Sequence, residues 1–346
     1  MRFTAERANF AAAVKRASGP IQSRNVIPIL SFVHIAATDT GVKVRGTSMD
    51  EWVTAKFDAA TSTAGETCVD AALLSAWLQA VAKGALVEFK IEDGRAVLTA
   101  GRATASFATM EAADFPNPPD RDAKTEVAGA IPALRICAPY ASDEEARYYL
   151  RGVAINAGHA VATNGHILCA VNIAADPEIA VIVPTFGIRQ IAQSSDAARL
   201  FVGANTWACE DGNVVMGGKL IDGTYPDWQR AVPKDNPIVA TLDADTMAGA
   251  VTAVQMASGE LVRVIKIEGD GEIATVSCRG DAMSATDQAV YEGAPFGTAL
   301  NSKYAQTAMK TFEGRVVRWA TGNDVAVVMT CEAAPELLAC LIPMRA

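Results

Sequence analysis

Three histidines (His34, His159 and His166) and seven cysteines are the residues of this 346-residue sequence with the most chemistry to offer. A hydrolase would use His159 or His166 as a general base, beside a carboxylate such as Asp143 or Glu144. The local patterns of such chemistry are missing: the sequence has no H-E-x-x-H, no G-x-S-x-G and no P-loop. Neither histidine has a cysteine or acidic ligand at a spacing that zinc would use. The cysteines (Cys68, Cys137, Cys169, Cys209, Cys278, Cys331 and Cys340) are odd in number, far apart and never C-x-x-C. That pattern argues against a disulfide framework or zinc knuckle and predicts buried, reduced thiols. Catalysis is the minor reading, and the sequence points to binding.

The elements that would carry a binding surface come in threes. An apolar-polar lead-in, a short helical stretch and alternating strands closing on an apolar or aromatic residue plus Pro recur along the chain. The lead-ins are Val69-Asp70-Ala71, Val183-Pro184-Thr185 and Leu300-Asn301-Ser302, spaced by 114 and 117 residues. The closing dipeptides Phe115-Pro116, Tyr225-Pro226 and Ile342-Pro343 are spaced by 110 and 117. Leu73, Leu74, Trp77, Leu78 and Val81 make one apolar helix face, and Tyr304, Ala305, Ala308, Met309 and Phe312 repeat it at the same offsets. A weaker helix opens each repeat, at Phe10, Ala13, Val14 and Ala17, at Ile131, Leu134 and Ala138, and at Met247, Ala250, Val251 and Val254. Pro139 predicts an early end for the middle one, because proline removes a backbone donor and clashes with the preceding turn.

Between the helices, period-two stretches such as 85–100 predict antiparallel strands, with Asp93-Gly94, Asn164-Gly165 and Asp211-Gly212 as tight hairpin turns. The fold class is α+β, each repeat placing two helices on antiparallel sheets. Domain limits of 1–120, 125–236 and 238–346 follow, with linkers at 116–124 (P-N-P-P-D-R-D-A-K) and 232–237 (V-P-K-D-N-P).

Composition is that of a globular protein: 50% apolar, 20% charged, with 26 Gly and 15 Pro. No apolar run is long enough for a membrane span, and the N-terminus lacks a signal-peptide core, so a cytoplasmic location is expected. A formal charge of −9 would count against nucleic acid. Its distribution reverses that impression. Helix windows at 5–17, 71–83, 131–141, 185–195, 245–257 and 302–312 hold eight basic residues against Glu6 and Asp245, a net of +6 that leaves −15 on the rest. Acid-poor helices in an acidic chain predict a helix-lined surface facing a polyanion through loose, non-specific backbone contacts.

Seven strings in order carry a resemblance: S-G-P-I-Q-S-R-N-V-I-P-I-L (18–30), A-A-D-F-P-N (112–117), A-R-Y-Y-L-R-G-V (146–153), A-T-N-G-H-I-L (162–168), V-I-V-P (181–184), K-L-I-D-G-T-Y-P-D-W-Q-R (219–230) and L-I-P-M-R-A (341–346). Along essentially its whole length the sequence resembles the bacterial DNA polymerase III β subunits, the replicative sliding clamps. The resemblance implies the DNA clamp fold: a head-to-tail homodimer of three-domain protomers, closed into a ring whose helices line a hole for duplex DNA. It implies a non-catalytic processivity factor with no cofactor, no metal and no 3′–5′ exonuclease activity. Implied partners are duplex DNA, the replicative polymerase catalytic subunit, the clamp loader, and repair polymerases, ligase and mismatch-repair proteins that dock through a short linear peptide. A clamp-like paralogue from a phage or mobile element, binding peptides without serving the host polymerase, is the alternative.

Family DNA contacts carry over onto Arg24, Tyr148 and Tyr149; read without the family, the two tyrosines are equally alternating strand residues with one of them in the core. Arg7, Lys15, Lys83, Arg135, Arg189, Lys303 and Lys310 supply the basic helix face. Glu144 stands where the family often has a neutral polar residue. The peptide groove carries over onto Leu150, Thr163, Gly165, His166, Leu168, Pro226, Arg230, Pro343, Met344 and Arg345. Ile167 in place of the usual Arg, Ala231 in place of a larger aliphatic residue and Ala346 in place of Leu imply an altered peptide preference. Ring closure would join a surface around Val254 and Met256 to an edge strand near Ala105 and Phe107. The absence of an aromatic residue at Ala105 implies a looser dimer.

Overall fold

Short alternating strands and left-handed turns build most of the chain. The computed structural model describes residues 1–118, 122–257, 263–280, 283–322 and 325–344. Its contacts gather into two units, Met1–Val127 with Arg189–Leu220, and Ala128–Ile188 with Ile221–Ala346. Among the described residues the first unit holds an antiparallel sheet of thirteen strands and the second one of twelve. These units do not coincide with the three sequence repeats, because the middle repeat contributes strands to both sheets. Its strands Gly152–Asn156, His159–Thr163, Ile167–Asn172 and Ala180–Pro184 join the second sheet. Its strands Thr125–Glu126, Arg199–Val202, Thr206–Asp211 and Val214–Lys219 join the first.

Repeats therefore meet edge to edge at two seams. In the first unit Val214–Lys219 pairs with Glu51–Phe57, setting Met216 opposite Val53. In the second, Ile167–Asn172 pairs with Leu337–Leu341, setting Leu168 opposite Cys340.

The described residues contain six α-helices: α1 (Arg7–Ala17), α2 (Ala71–Ala80), α3 (Ala130–Cys137), α4 (Thr185–Ile191), α5 (Ala244–Gln255) and α6 (Ser302–Thr311). The polar residue of two lead-ins is the helix cap: Asp70 accepts from Leu73 N at 2.8 Å, and Asn301 accepts from Lys303 N at 3.0 Å. Asp243 caps α5 in the same way through Thr246 N. After Cys137 the chain tightens into a 3-10 turn, Ala138–Tyr140, at Pro139. Several helices stop short of the sequence windows. In particular α2 ends at Ala80, so Lys83 lies beyond it.

Both α1 and α2 bury one face on the first sheet, around a cluster in which Phe3 stacks on Phe89 at 4.9 Å and Phe10 on Phe57 at 5.2 Å. In the second unit α5 lies beside α6 and α3 covers the strands His159–Thr163 and Ile167–Asn172. All seven cysteines are buried thiols outside any disulfide. None of the described helices is long and apolar enough to cross a membrane. At the 116–124 linker, Asp122 is pinned to the first unit, its carboxylate accepting from Asn205 N at 2.8 Å and Thr206 N at 3.0 Å.

The first seam buries an ionisable group. Glu51 is 6% exposed, and its Oε2 has no hydrogen-bond partner among the described residues. The indole N–H of buried Trp207 is likewise unpartnered, and both groups crowd Gly218, where an added Cβ would meet Glu51 Cγ at 2.7 Å and Trp207 Nε1 at 3.1 Å. Burial, with the charge of Asp50 second, pushes the Glu51 carboxyl up from 4.5 to about 8. The native state then binds more protons than the unfolded chain between those values, so stability falls as pH rises from the ordinary carboxylate range to about 8. Glu51→Gln should flatten that slope and stabilise the protein by roughly 3 kcal/mol at neutral pH. Urea denaturation across this range checks it; an unchanged slope in the variant would assign the effect to other groups.

Candidate functional site

The hairpin end at 163–168 is built by side chains bonding to their own backbone. Thr163 Oγ1 donates to Ile167 O at 2.7 Å and accepts from Gly165 N at 3.0 Å. The Asn164 side chain accepts from His166 N and Ile167 N at 2.9 and 3.0 Å. Gly165 takes a φ of +89°, a left-handed conformation suited to glycine. Cross-strand register then lines up Thr163, Leu168 and Cys340 on three adjacent strands.

A groove of about 290 Å³ opens over this row. Tyr149 and Leu150 border it from a 3-10 turn, Glu145–Leu150, and Trp228 and Ala231 from another, Trp228–Ala231. His166, Ile167, Pro226, Asp227 and Ile342 complete its apolar and polar rim. Beneath it Leu150, Leu168, Tyr225, Trp228 and Cys340 belong to one buried cluster. Burial pushes the Cys340 thiol up to about 11, which leaves it an apolar lining group at neutral pH. Ile342 N donates to His166 O at 2.9 Å, tying the C-terminal segment to the hairpin end.

One ion pair at the rim is bidentate. Arg147 donates from Nε and Nη2 to the two Glu144 oxygens at 2.7 and 2.6 Å. The hydrogen bonds from Arg147 hold the Glu144 carboxyl below the usual range. Glu144 is thereby committed to a bidentate pair. Of the two histidines of the hydrolase reading, His159 opens the strand His159–Thr163 and His166 lies in the turn beyond its end. His159 packs edge-on to Trp228 at 5.1 Å, and His166 stacks on Tyr304 at 6.0 Å.

Of the residues expected at a peptide groove, Leu150, Thr163, Gly165, His166, Leu168 and Pro226 line this one. Arg230 does not; it is exposed and pairs with Asp227 at 3.3 Å. Pro343 and Met344 are also outside the lining, with Met344 N donating to Ala299 O at 2.8 Å. Arg345 and Ala346 lie outside the described residues. Arg147, Asp227, Trp228, Cys340 and Ile342 are lining residues that the sequence does not place at the groove, Tyr149 is one that the resemblance assigns to DNA, and Ile167 and Ala231 line it at the positions where the sequence departs from the family. Trp228 carried a signal, as the aromatic residue of the P-D-W-Q-R string.

The expected DNA contacts divide. Arg24 is exposed in a loop that Asn25 fastens through bonds to Gln22 O, Leu30 O and Ser31 Oγ. Lys15, Lys83, Arg189, Lys303 and Lys310 are exposed, and Arg135 is half-buried. Arg7 is committed elsewhere, donating to Leu78 O at 2.5 Å and Gln79 O at 3.0 Å, where it caps the C-terminus of α2. Tyr148 and Tyr149 belong to a 3-10 turn and not a strand, because this segment folds back through Arg151 N to Tyr148 O. Tyr148 is exposed, while Tyr149 meets it edge-on and lines the groove.

Two of the expected interface residues are core residues: Val254 is buried in α5, and Phe107 packs on Trp77 at 6.4 Å. Met256 is 81% exposed, and Ala105 is half-buried on the strand Ala103–Met110. That strand pairs along one side with Arg95–Ala100, but on the other side, among the described residues, only Thr109 and Met110 are paired.

Gly165→Ala tests the groove's construction. Its Cβ would lie 2.6 Å from Arg147 Nη1, so the substitution must both strain φ and displace the ion pair. Gly158→Ala, at φ +76° with nothing nearer than 3.7 Å, adds backbone strain alone. The expected loss is about 1 kcal/mol for Gly158→Ala and measurably more for Gly165→Ala by denaturation; equal losses would mean that Arg147 is not held over the turn.

Comparison with known proteins gives the relationship. Residues 1–119 match the family profile "DNA polymerase III beta subunit, N-terminal domain" and residues 124–227 match its central domain. The beta sliding clamp of Caulobacter vibrioides (strain NA1000 / CB15N) is 30% identical over 375 residues, covering all of both chains. That of Escherichia coli (strain K12) is 25% identical over 365 residues, again with full coverage. A solved Caulobacter crescentus beta sliding clamp matches with a TM-score of 0.90 at 26% identity, covering 100% of this chain and 99% of that one. The Bartonella birtlesii clamp solved with griselimycin reaches 0.93 at 23% identity with full coverage of both, a likeness of fold. The chain belongs to the DNA polymerase III beta subunit family, the beta sliding clamps, which are non-catalytic processivity factors of the replicative polymerase.

Proposed function

We propose that this chain folds as three clamp domains near 1–120, 125–236 and 238–346, dimerises head to tail around duplex DNA in the cytoplasm, and tethers partners through the groove over Leu168 and Cys340. The observation that carries the DNA reading is the segregation of charge. The six α-helices hold seven basic residues (Arg7, Lys15, Arg16, Arg135, Arg189, Lys303 and Lys310) against one acid, Asp245, in a chain of net charge −9. Of these basic residues Lys15, Arg189, Lys303 and Lys310 are exposed, and the exposed helix faces around them are small or uncharged, as at Ala12, Ala76, Gly249 and Ala253. A sparse basic face over small residues attracts phosphate without reading sequence or gripping it, and enclosure then supplies the retention that affinity does not.

Ring closure is supported by two open strand edges. One is the 103–108 edge of the first sheet. The other is on Ser284–Gly293 in the second, which among the described residues is paired with Ile273–Arg279 on one side but with Ile238–Asp243 only through Tyr291–Gly293. An unpaired edge is a template for another strand. Two different edges on one chain suit a heterologous contact, which closes when the rotation allows. The partners of the groove are short peptides with bulky apolar anchors, from the replicative polymerase, the clamp loader and repair proteins.

Retention on DNA tests encirclement. Loaded protein should stay on a nicked circle through moderate salt and slide off once the circle is cut; equal loss from both would overturn the reading. For the groove, a peptide with adjacent Leu and Phe anchors should alter Trp228 fluorescence, with Trp228→Phe as the reference. Leu168→Asp should weaken that peptide about tenfold or more. Griselimycin, bound by the Bartonella birtlesii clamp, is a second probe, and its displacement of the peptide is expected. Undiminished peptide binding by Leu168→Asp would exclude this groove.

A further inference from the structure

The groove over Leu168 and Cys340 is lined by one Arg and one Asp, and each is paired within its own 3-10 turn. In both turns the acid stands at the residue before the turn and the arginine within it, three positions on. The two pairs are set in opposite senses. At Glu145–Leu150 the cation, Arg147, lines the groove and Glu144 stands outside its lining; at Trp228–Ala231 the acid, Asp227, lines it and Arg230 stands outside.

They also differ in grip. Asp227 and Arg230 are both exposed and meet through one contact at 3.3 Å. Arg147 is half-buried and gives Nε and Nη2 to the two oxygens of Glu144 at 2.7 and 2.6 Å, the fork geometry that makes such pairs strong. Those bonds hold the Glu144 carboxyl below the usual range, so it is charged at neutral pH. What remains of the guanidinium is Nη1, which lies over the Gly165 turn, 2.6 Å from where a Cβ would stand. A ligand carboxylate that reached Nη1 would share one cation with Glu144, and like charges at that separation repel. Loosely paired Asp227 adds a second negative charge to the lining. Glu144 also lines a neighbouring cavity of about 360 Å³, where Asp143 and Lys303 supply one charge of each sign and leave the balance as it is.

We propose that Glu144 is a specificity-determining residue of the groove: by occupying Arg147 it turns away peptides that carry Asp or Glu beside their apolar anchors and leaves the site to peptides with uncharged or basic flanks. Arg147 is the only Arg or Lys among the described residues that line the groove. Released from Glu144, it would favour the acidic flanks that the pair now excludes. This selectivity rests on the groove taking a peptide, as proposed above, and the experiment keeps the two apart.

The full chain is titrated with peptides that share adjacent Leu and Phe anchors and carry either Asp or Asn at one position, placed before or after the anchors in turn, with Trp228 fluorescence as the signal. The wild type should bind no Asp peptide more tightly than its Asn twin. Glu144→Gln should improve the best Asp peptide about fivefold or more relative to its Asn twin, with affinities for the Asn peptides unchanged. That gain should shrink as salt rises and vanish when Arg147→Gln is added. A wild type that already prefers Asp, a Glu144→Gln variant with the wild-type preference at every position, or a gain that survives Arg147→Gln would each overturn the assignment. Leu168→Asp reports on the groove separately. If it binds the Asn peptides as well as the wild type does, the groove reading fails and the specificity role falls with it; weakened binding there, beside an unchanged Asp-to-Asn ratio in Glu144→Gln, removes the specificity role alone.

Discussion

Pairing between strands of successive repeats is the constraint on which the rest of this structure depends. Each repeat alone would leave a strand edge open and half a hydrophobic face uncovered. The hydrogen-bonded seams, Val214–Lys219 on Glu51–Phe57 and Ile167–Asn172 on Leu337–Leu341, turn three similar sequences into two continuous sheets. They also fix where ligands can go. The groove lined by Leu168 and Cys340 sits over the second seam.

The two seams are the same construction finished differently. At the first, Gly217 faces Trp52 and Gly218 faces Glu51, and the space that the glycines leave is filled: a Cβ at Gly217 would lie 2.8 Å from the Trp52 ring. At the second, Leu168 faces Cys340, and neither side chain is large enough to fill the ground between the 3-10 turns that carry Tyr149 and Trp228. An internal duplication supplies two similar positions. Packing one with indole and leaving the other open lets a single protomer offer one apolar groove there instead of two.

Local features were legible in the sequence for physical reasons. Asp93-Gly94 forms its hairpin because both residues accept positive φ, at +50° and +71°. Asp70 and Asn301 announce helix starts because a short oxygen-bearing side chain satisfies the first free N–H groups. What stayed hidden depends on distance along the chain. Nothing near Glu51 signals that its strand will pair with residues more than 150 positions away, and so neither its burial nor the split of the middle repeat could be read. Arg7 looked like a surface cation until α2 ended beside it, and Tyr149 looked like a strand residue because its turn is closed by backbone bonds that no side chain announces. Cys340 and Ile342 join Leu168 only through the seam.

Under the proposed head-to-tail contact, the open edges at 103–108 and on Ser284–Gly293 would make each copy bifunctional in the polymer chemist's sense, with one edge of each kind. Such a building block joined end to end yields a fibre of any length unless the bend per copy brings the last end back to the first. Curvature, and not contact strength, then decides between a finite particle and uncontrolled growth. Under that proposal, a substitution that keeps both edges open but prevents closure would cause solubility to fail before binding does.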